Sequence, residues 1–170
     1  MSLRIISAFA AVLLLAACES APSDTGMASG AGGASSGGSS SQAAGPRPGS
    51  QEDLVVNVGD RVFFDFDQFS VRQDQRAVLD RQAAWLKKYP EVTVTVEGHA
   101  DERGTREYNI ALGNRRATAA KNYLVALGIN PNRVQTISYG KERPAVAGSN
   151  DQAWSQNRRA VTVVTSRAGS

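Results

Sequence analysis

Hydrophobic and polar side chains alternate with a period of two along residues 62–67, where Val62, Phe64 and Phe66 are offset against Phe63, Asp65 and Asp67. That period predicts a strand. Residues 92–96, Val-Thr-Val-Thr-Val, alternate β-branched apolar and polar positions, and Gly98 is expected to end this half-buried strand. Residues 134–139 and 160–165 give two more strands. Between them the spacing lengthens to that of helices. Val78, Leu79, Ala83, Leu86 and Tyr89 mark one apolar face over residues 74–89, closed by Pro90. A second helix is predicted over residues 110–127, with Asn109 as N-cap, Gly128 just past its C-terminus and Pro131 soon after. The order strand, helix, strand, helix, strand, strand favours crossover connections. The expected fold class is α/β, an α+β sandwich of two helices packed on a mixed four-stranded sheet.

None of these periods appears before about residue 54. Residues 5–16 form an apolar run behind a single arginine, Arg4. At about a dozen residues the run is too short to span a bilayer as a helix and reads as a cleavable export signal. Leu15-Ala16-Ala17-Cys18 resembles the lipobox of bacterial lipoproteins. That resemblance implies lipidation of Cys18, cleavage before it and acylation of the new N-terminus; several acyl chains make a stable membrane anchor. Glu19, rather than Asp, follows the cysteine and favours the outer membrane. Residues 20–50 are dominated by Gly, Ser and Ala. They hold too little apolar surface to offset chain entropy, and a chain of this kind spans roughly 30 Å r.m.s. within a contour limit near about 100 Å. The expected organisation is a signal peptide over 1–17, a lipidated N-terminus and flexible tether over 18–53, a folded domain over 54–166 and a tail over 167–170.

Composition removes several functions. The net charge is +3, but acidic and basic residues are interspersed from Glu52 onward, unlike the clustered stripe of a nucleic-acid binder. Cys18 is the one cysteine and His99 the one histidine, so neither an internal disulfide nor a histidine-rich metal site can form. There is no nucleophile elbow or phosphate loop. No catalytic residue, metal or cofactor is expected.

One charged residue breaks the helical pattern. At 100° per residue, with Leu112 at zero, Arg116 falls near about 40°, between Tyr123 at about 20° and Leu127 at about 60°. A guanidinium in the centre of an apolar stripe is costly unless it is paired. The loop Gly98-His99-Ala100-Asp101-Glu102-Arg103-Gly104 leads toward this helix. Asp101 is the first candidate partner and Glu102 the second. Gly98 and Gly104 allow a sharp bend or close approach of a ligand. Two readings stay open here: a salt bridge fixing loop to helix, or a receptor in which Asp101 takes an ammonium and Arg116 a carboxylate.

The stretch from Val94 to Ala117, containing Glu97-Gly-His-Ala-Asp-Glu-Arg-Gly104 and Asn109-Ile-Ala-Leu-Gly-Asn-Arg-Arg116, resembles the peptidoglycan-associated lipoproteins and, more broadly, the OmpA-like C-terminal domains. Phe63-Phe-Asp-Phe-Asp67, Ser138-Tyr-Gly-Lys-Glu-Arg-Pro144 and Asn157-Arg-Arg-Ala-Val161 extend the resemblance over about residues 54–166. It implies non-covalent binding of meso-diaminopimelate in the peptidoglycan stem peptide. Asp101 and Arg116 would hold the ammonium and carboxylate, and backbone amides around Phe66 and Asp67 would help with a carboxylate. Asn109 would order the loop. The family serine after the Asn-x-x-Leu motif is Gly113 here, and Asn157 and Arg158 match a further motif without an assigned ligand role. TolB and the other Tol proteins are the implied protein partners, with roles in envelope integrity and cell division. The competing reading is a protein-interaction module for TolB in which the Asp–Arg pair is structural. A flagellar stator domain, anchored by a transmembrane helix, fits the short apolar run poorly.

Overall fold

The structure, a computed structural model, describes residues 45–167. The expected signal peptide, Cys18 and most of the expected tether therefore lie outside the described residues. Four strands form one sheet in the order β1-β4-β2-β3: β1 (Arg61–Phe63), β2 (Val92–His99), β3 (Val134–Gly140) and β4 (Arg159–Arg167). β2 and β3 run parallel, while β4 is antiparallel to both β1 and β2. The sheet is mixed, as expected.

The described residues hold four helices rather than two. α2 (Gln73–Lys88) and α3 (Arg106–Ala126) are the two foreseen; α1 (Gln51–Asp53, continuing as a π-helical turn over Leu54–Val58) and α4 (Asp151–Asn157) are additional. The element order is accordingly richer than strand, helix, strand, helix, strand, strand. α4 is too short to show a helical period. It is started by Asn150, whose side chain accepts from the Ala153 N–H, a local cap that suits a short helix. α1 is fixed by Asp53, which accepts from Gly49 N–H, Asn57 Nδ2 and Trp85 Nε1, tying the chain before β1 to α2.

α2 and α3 cover one face of the sheet. Leu79, Ala83, Trp85 and Leu86 from α2 meet Ala117, Ala120 and Leu124 from α3 over Val92, Val94, Val96 and Val134. α3 begins four residues before the expected start. Its N-cap is Thr105, whose hydroxyl accepts from Tyr108 N–H; Asn109 is not the cap but sits buried within the helix. At the other end Gly128 takes φ 92°, with Gly128 N–H bonded to Val125 O and Ile129 N–H to Leu124 O. This Schellman closure satisfies two carbonyls that the helix end leaves free.

Two glycines set the distance between α3 and β2. A Cβ on Gly98 would stand 1.8 Å from Gly113 O, and one on Gly113 would stand 2.3 Å from Ser138 Oγ. Gly98 does not end β2, which continues through a register shift to His99. Its smallness serves helix packing rather than strand termination.

Candidate functional site

The register places Ala160, Thr162 and Val164 beside Gly98, Val96 and Val94 on the helix-covered face. β1 is shorter than its alternation predicted. Phe64 is buried and gives its N–H to Arg158 O, but the chain then turns, with Gln68 N–H on Asp65 O. Phe66 is 60% exposed, not a core residue. Asp67 takes φ 57°, the one positive value at a non-glycine position among the described residues. Such backbone is uncommon outside glycine and concentrates where function over-determines it. The Tyr108 hydroxyl holds the Asp67 carboxylate from α3.

Arg116 explains the turn. It is 0% exposed, as its place in the apolar stripe requires. Its partners, however, are backbone carbonyls. Nε donates to Gln68 O at 2.8 Å, Nη1 to His99 O at 2.8 Å and Nη2 to Asp65 O at 3.1 Å. The backbone of residues 65–68 thus serves this cation instead of extending the strand. Burial pulls the Arg116 pKa down to about 10, opposed by the nearby Asp101 charge, so it remains a cation at neutral pH.

Asp101 does not hydrogen-bond Arg116, contrary to the simplest expectation. Arg103 grips it with Nη2 to Oδ2 at 2.7 Å and Nε to Oδ1 at 3.1 Å, and the Arg103 N–H adds a third bond at 3.1 Å. Arg158 Nη1 reaches Oδ2 at 3.3 Å. Burial works to raise the Asp101 carboxyl, but these bonds and the charge of Arg103 outweigh it and hold the group below the ordinary carboxylate range. Glu102, the second candidate acid, is exposed and accepts from Trp154 Nε1 at 2.9 Å.

Asp101 and Arg116 nevertheless share one cavity of about 270 Å³, between the turn after β1 and the start of α3. Phe66, Asp67, Gly104 and Asn109 also line it. Asn109 Nδ2 donates to Arg103 O at 2.8 Å and ties the 100–104 loop to α3. Gly104 takes φ 92°, which a side chain would strain. The Phe66 and Asp67 N–H groups donate to no acceptor among the described residues. Gly98 does not line the cavity; it acts from behind through α3.

Arg103 and Tyr108 carry no sequence expectation as parts of this site, and Arg158 enters it as a motif match without an assigned role. Arg158 reaches Asp101 across 57 positions while its Nε holds Phe64 O at 3.0 Å, so local spacing could not reveal it. Asn157 accepts from Ala145 and Val146 N–H and donates to Val146 O, fastening the loop before α4. Arg103 stands in the same loop as Asp101, two positions on, where an Asx-type contact was readable.

With this geometry in view, similarity to known proteins becomes informative. Residues 63–158 match the OmpA family. The peptidoglycan-associated lipoprotein of Rhizobium meliloti is 53% identical over 164 residues, covering 94% of this chain and 86% of that protein. The chain belongs to the peptidoglycan-associated lipoproteins of the OmpA family. The Brucella abortus member is 56% identical over 122 residues, 72% of this chain and 73% of its own length. Among solved structures, the peptidoglycan-associated lipoprotein from Burkholderia pseudomallei superposes with a TM-score of 0.63 at 38% identity, covering 66% of this chain and all of that one. The C-terminal domain of Helicobacter pylori MotB gives 0.59 at 24% identity, over 64% of this chain and 86% of that one, a likeness of fold alone. No helix among the described residues is long and apolar enough to cross a membrane, and no cluster of His, Cys, Asp and Glu there could hold a metal ion.

His99, the lone histidine, lies at the end of β2. Alternation in β2 turns it to the face away from the helices, and neither ring nitrogen has a partner although the residue is 2% exposed. Glu97 Oε2 stands 3.6 Å from Nε2, beyond hydrogen-bond reach. Burial, then the charges of Arg159, Arg143 and Arg61, push its pKa down from 6.5 to about 4. The unfolded chain binds this proton more readily, so the stability carried by the neutral ring is complete above pH 6.5 and declines as pH falls toward 4. The shift corresponds to about 3 kcal/mol. Melting temperatures measured from pH 7 to pH 4 should fall less steeply in His99→Gln than in the wild type; parallel curves would exclude His99 as the cause.

Proposed function

We propose that this chain is an outer-membrane lipoprotein that binds the diaminopimelate end of the peptidoglycan stem peptide, tethering membrane to cell wall without catalysis. The observation that carries this reading is one cavity lined by Asp101, Arg116, Phe66 and Asp67, the last two with N–H groups that donate to no acceptor among the described residues. An amino-acid end carries one ammonium and one carboxylate close together. Asp101 suits the first; the two N–H groups, with Arg116 supplying positive charge, suit the second. A lysine-type stem has the amine without that carboxylate and leaves the N–H groups unmatched, so diaminopimelate is preferred. Peptidoglycan-associated lipoproteins, the relatives named above, carry this association in their name.

The anchor is the lipidated Cys18, after removal of residues 1–17, and residues 18–53 serve as the spacer to the domain at 54–166, with 167–170 as a tail. TolB and other Tol proteins are the proposed protein partners. Three large side chains around the turn and α3, Phe66, Phe69 and Tyr108, are exposed and offer the kind of aromatic surface that protein interfaces favour. Envelope integrity and cell division follow as the processes served.

Asp101→Asn should lose about tenfold or more in pull-down with purified diaminopimelate-type sacculi, with a native circular dichroism spectrum. In the otherwise wild-type chain, Cys18→Ser should leave the membrane fraction while still binding sacculi. Full sacculus binding by Asp101→Asn would remove the proposed site.

A further inference from the structure

Asp101 is already occupied. A carboxylate offers about four acceptor positions, and Asp101 accepts four hydrogen bonds: two at Oδ1 from the Arg103 N–H and Nε, and two at Oδ2 from Arg103 Nη2 and Arg158 Nη1. An incoming ammonium therefore finds no vacant lone pair and must displace a donor. The Arg103 N–H belongs to the loop backbone and cannot leave without refolding the loop. Arg158 is 14% exposed at its side chain and is pinned by the second bond to Phe64 O. The Arg103 side chain is 33% exposed, and among the described residues its guanidinium makes hydrogen bonds to Asp101 alone.

We infer that Arg103 is a built-in competitor for the ligand's ammonium, a latch whose guanidinium fills the Asp101 subsite until a ligand displaces it. The two ends of the latch have different holds. At the carboxylate it makes the two side-chain bonds. Along its plane it lies between two aromatic rings, 4.1 Å from the centroid of Phe66 and 4.0 Å from that of Trp154. Ring faces attract a guanidinium without needing one fixed hydrogen-bond direction. The side chain can release the carboxylate and stay between the rings, so that the cavity opens without casting a free arginine into water. Arg103 and Phe66 both line the cavity, so this displacement happens at its wall.

The latch has a definite effect on binding. Ligand affinity is reduced by the fraction of molecules with the latch closed. The same displacement is asked of every ligand that brings a cation to Asp101, with or without a carboxylate. That cost is common to diaminopimelate and lysine and cancels from the difference in their affinities, so the latch sets the threshold of binding while the Phe66 and Asp67 N–H groups set the preference.

This inference rests on the receptor reading above, and one experiment separates the two. Calorimetric titration of the full-length protein in detergent would use a synthetic stem peptide ending in meso-diaminopimelate and its lysine counterpart. Arg103→Met keeps an apolar stem between the rings but removes the competing cation. It should bind the diaminopimelate peptide about fivefold or more tighter than wild type, with the same fold gain for the lysine peptide. Measurable wild-type binding with equal or weaker binding by Arg103→Met overturns the latch and leaves the receptor standing; no binding by either protein overturns both. In the wild type, the Arg103 Nε–H nuclear magnetic resonance signal should move on titration as its carboxylate bond breaks. An Arg103 signal unmoved at saturation overturns the latch even if the variant folds poorly.

Discussion

Arg116→Met is expected to lower unfolding free energy by about 2–3 kcal/mol and to abolish sacculus binding. Two effects oppose each other. Methionine relieves the cost of keeping a cation out of water, and replacement of buried charges by apolar residues is often neutral or favourable when the partner is replaced too. Here the partners are backbone carbonyls and cannot be replaced. Asp65 and Gln68 are exposed residues whose carbonyls can turn to water. His99 is buried, and its carbonyl keeps no substitute for Arg116 Nη1. That orphaned acceptor, together with loosening of the turn after β1, outweighs the relief. Denaturant titration gives the stability change, and amide exchange should quicken at residues 64–68. A variant as stable as wild type, with unchanged exchange in that turn, would show that Arg116 does not hold the turn after β1 in place.

Gly98→Ala should be about as damaging, for a reason unrelated to conformation. Gly98 does not have positive φ among the described glycines. Its added Cβ would meet Gly113 O at 1.8 Å and Gly113 C at 2.5 Å, both parts of a helix backbone that cannot swing aside. Either α3 lifts from β2 or the strand deforms. Overpacking of this kind costs about 3 kcal/mol, a fall in melting temperature of roughly 10 °C for a domain of this size. Because α3 carries Asn109 and Arg116, ligand binding should weaken in the same variant even though Gly98 does not touch the cavity. A melting temperature within about 2 °C of wild type would show that the contact yields easily. Gly104→Ala offers a contrast: space is available there, with Tyr108 3.5 Å away, but φ 92° strains any side chain.

Most of the framework was legible along the chain because it depends on period. β2, β3 and β4 fall where β-branched alternation placed them, and α2 and α3 where apolar spacing lengthened. The first strand was overextended because Phe66 continues the alternation of Val62 and Phe64 in sequence, while its neighbouring carbonyls are claimed by Arg116. The start of α3 was missed because Asn109 and Thr105 are both good caps, and only the fold decides that Asn109 is needed for the Arg103 carbonyl. α1 and α4 carry too few residues for a period to show.

The amino-acid order alone identified a cation lodged in a greasy helical face, an acid in the loop leading toward it and the family that places them together. It could not say what neutralises either group. Every residue supplies a carbonyl, so the acceptors of Arg116 leave no mark in the pattern of side chains; they emerge only when the turn after β1 is folded over α3. The second guanidinium on Asp101 likewise comes from Arg158, remote in the chain and adjacent only because β4 lies between β1 and β2. Side-chain periodicity is a local property and fixes the elements. The partners of buried charges are set by which backbones meet, and that is decided by packing.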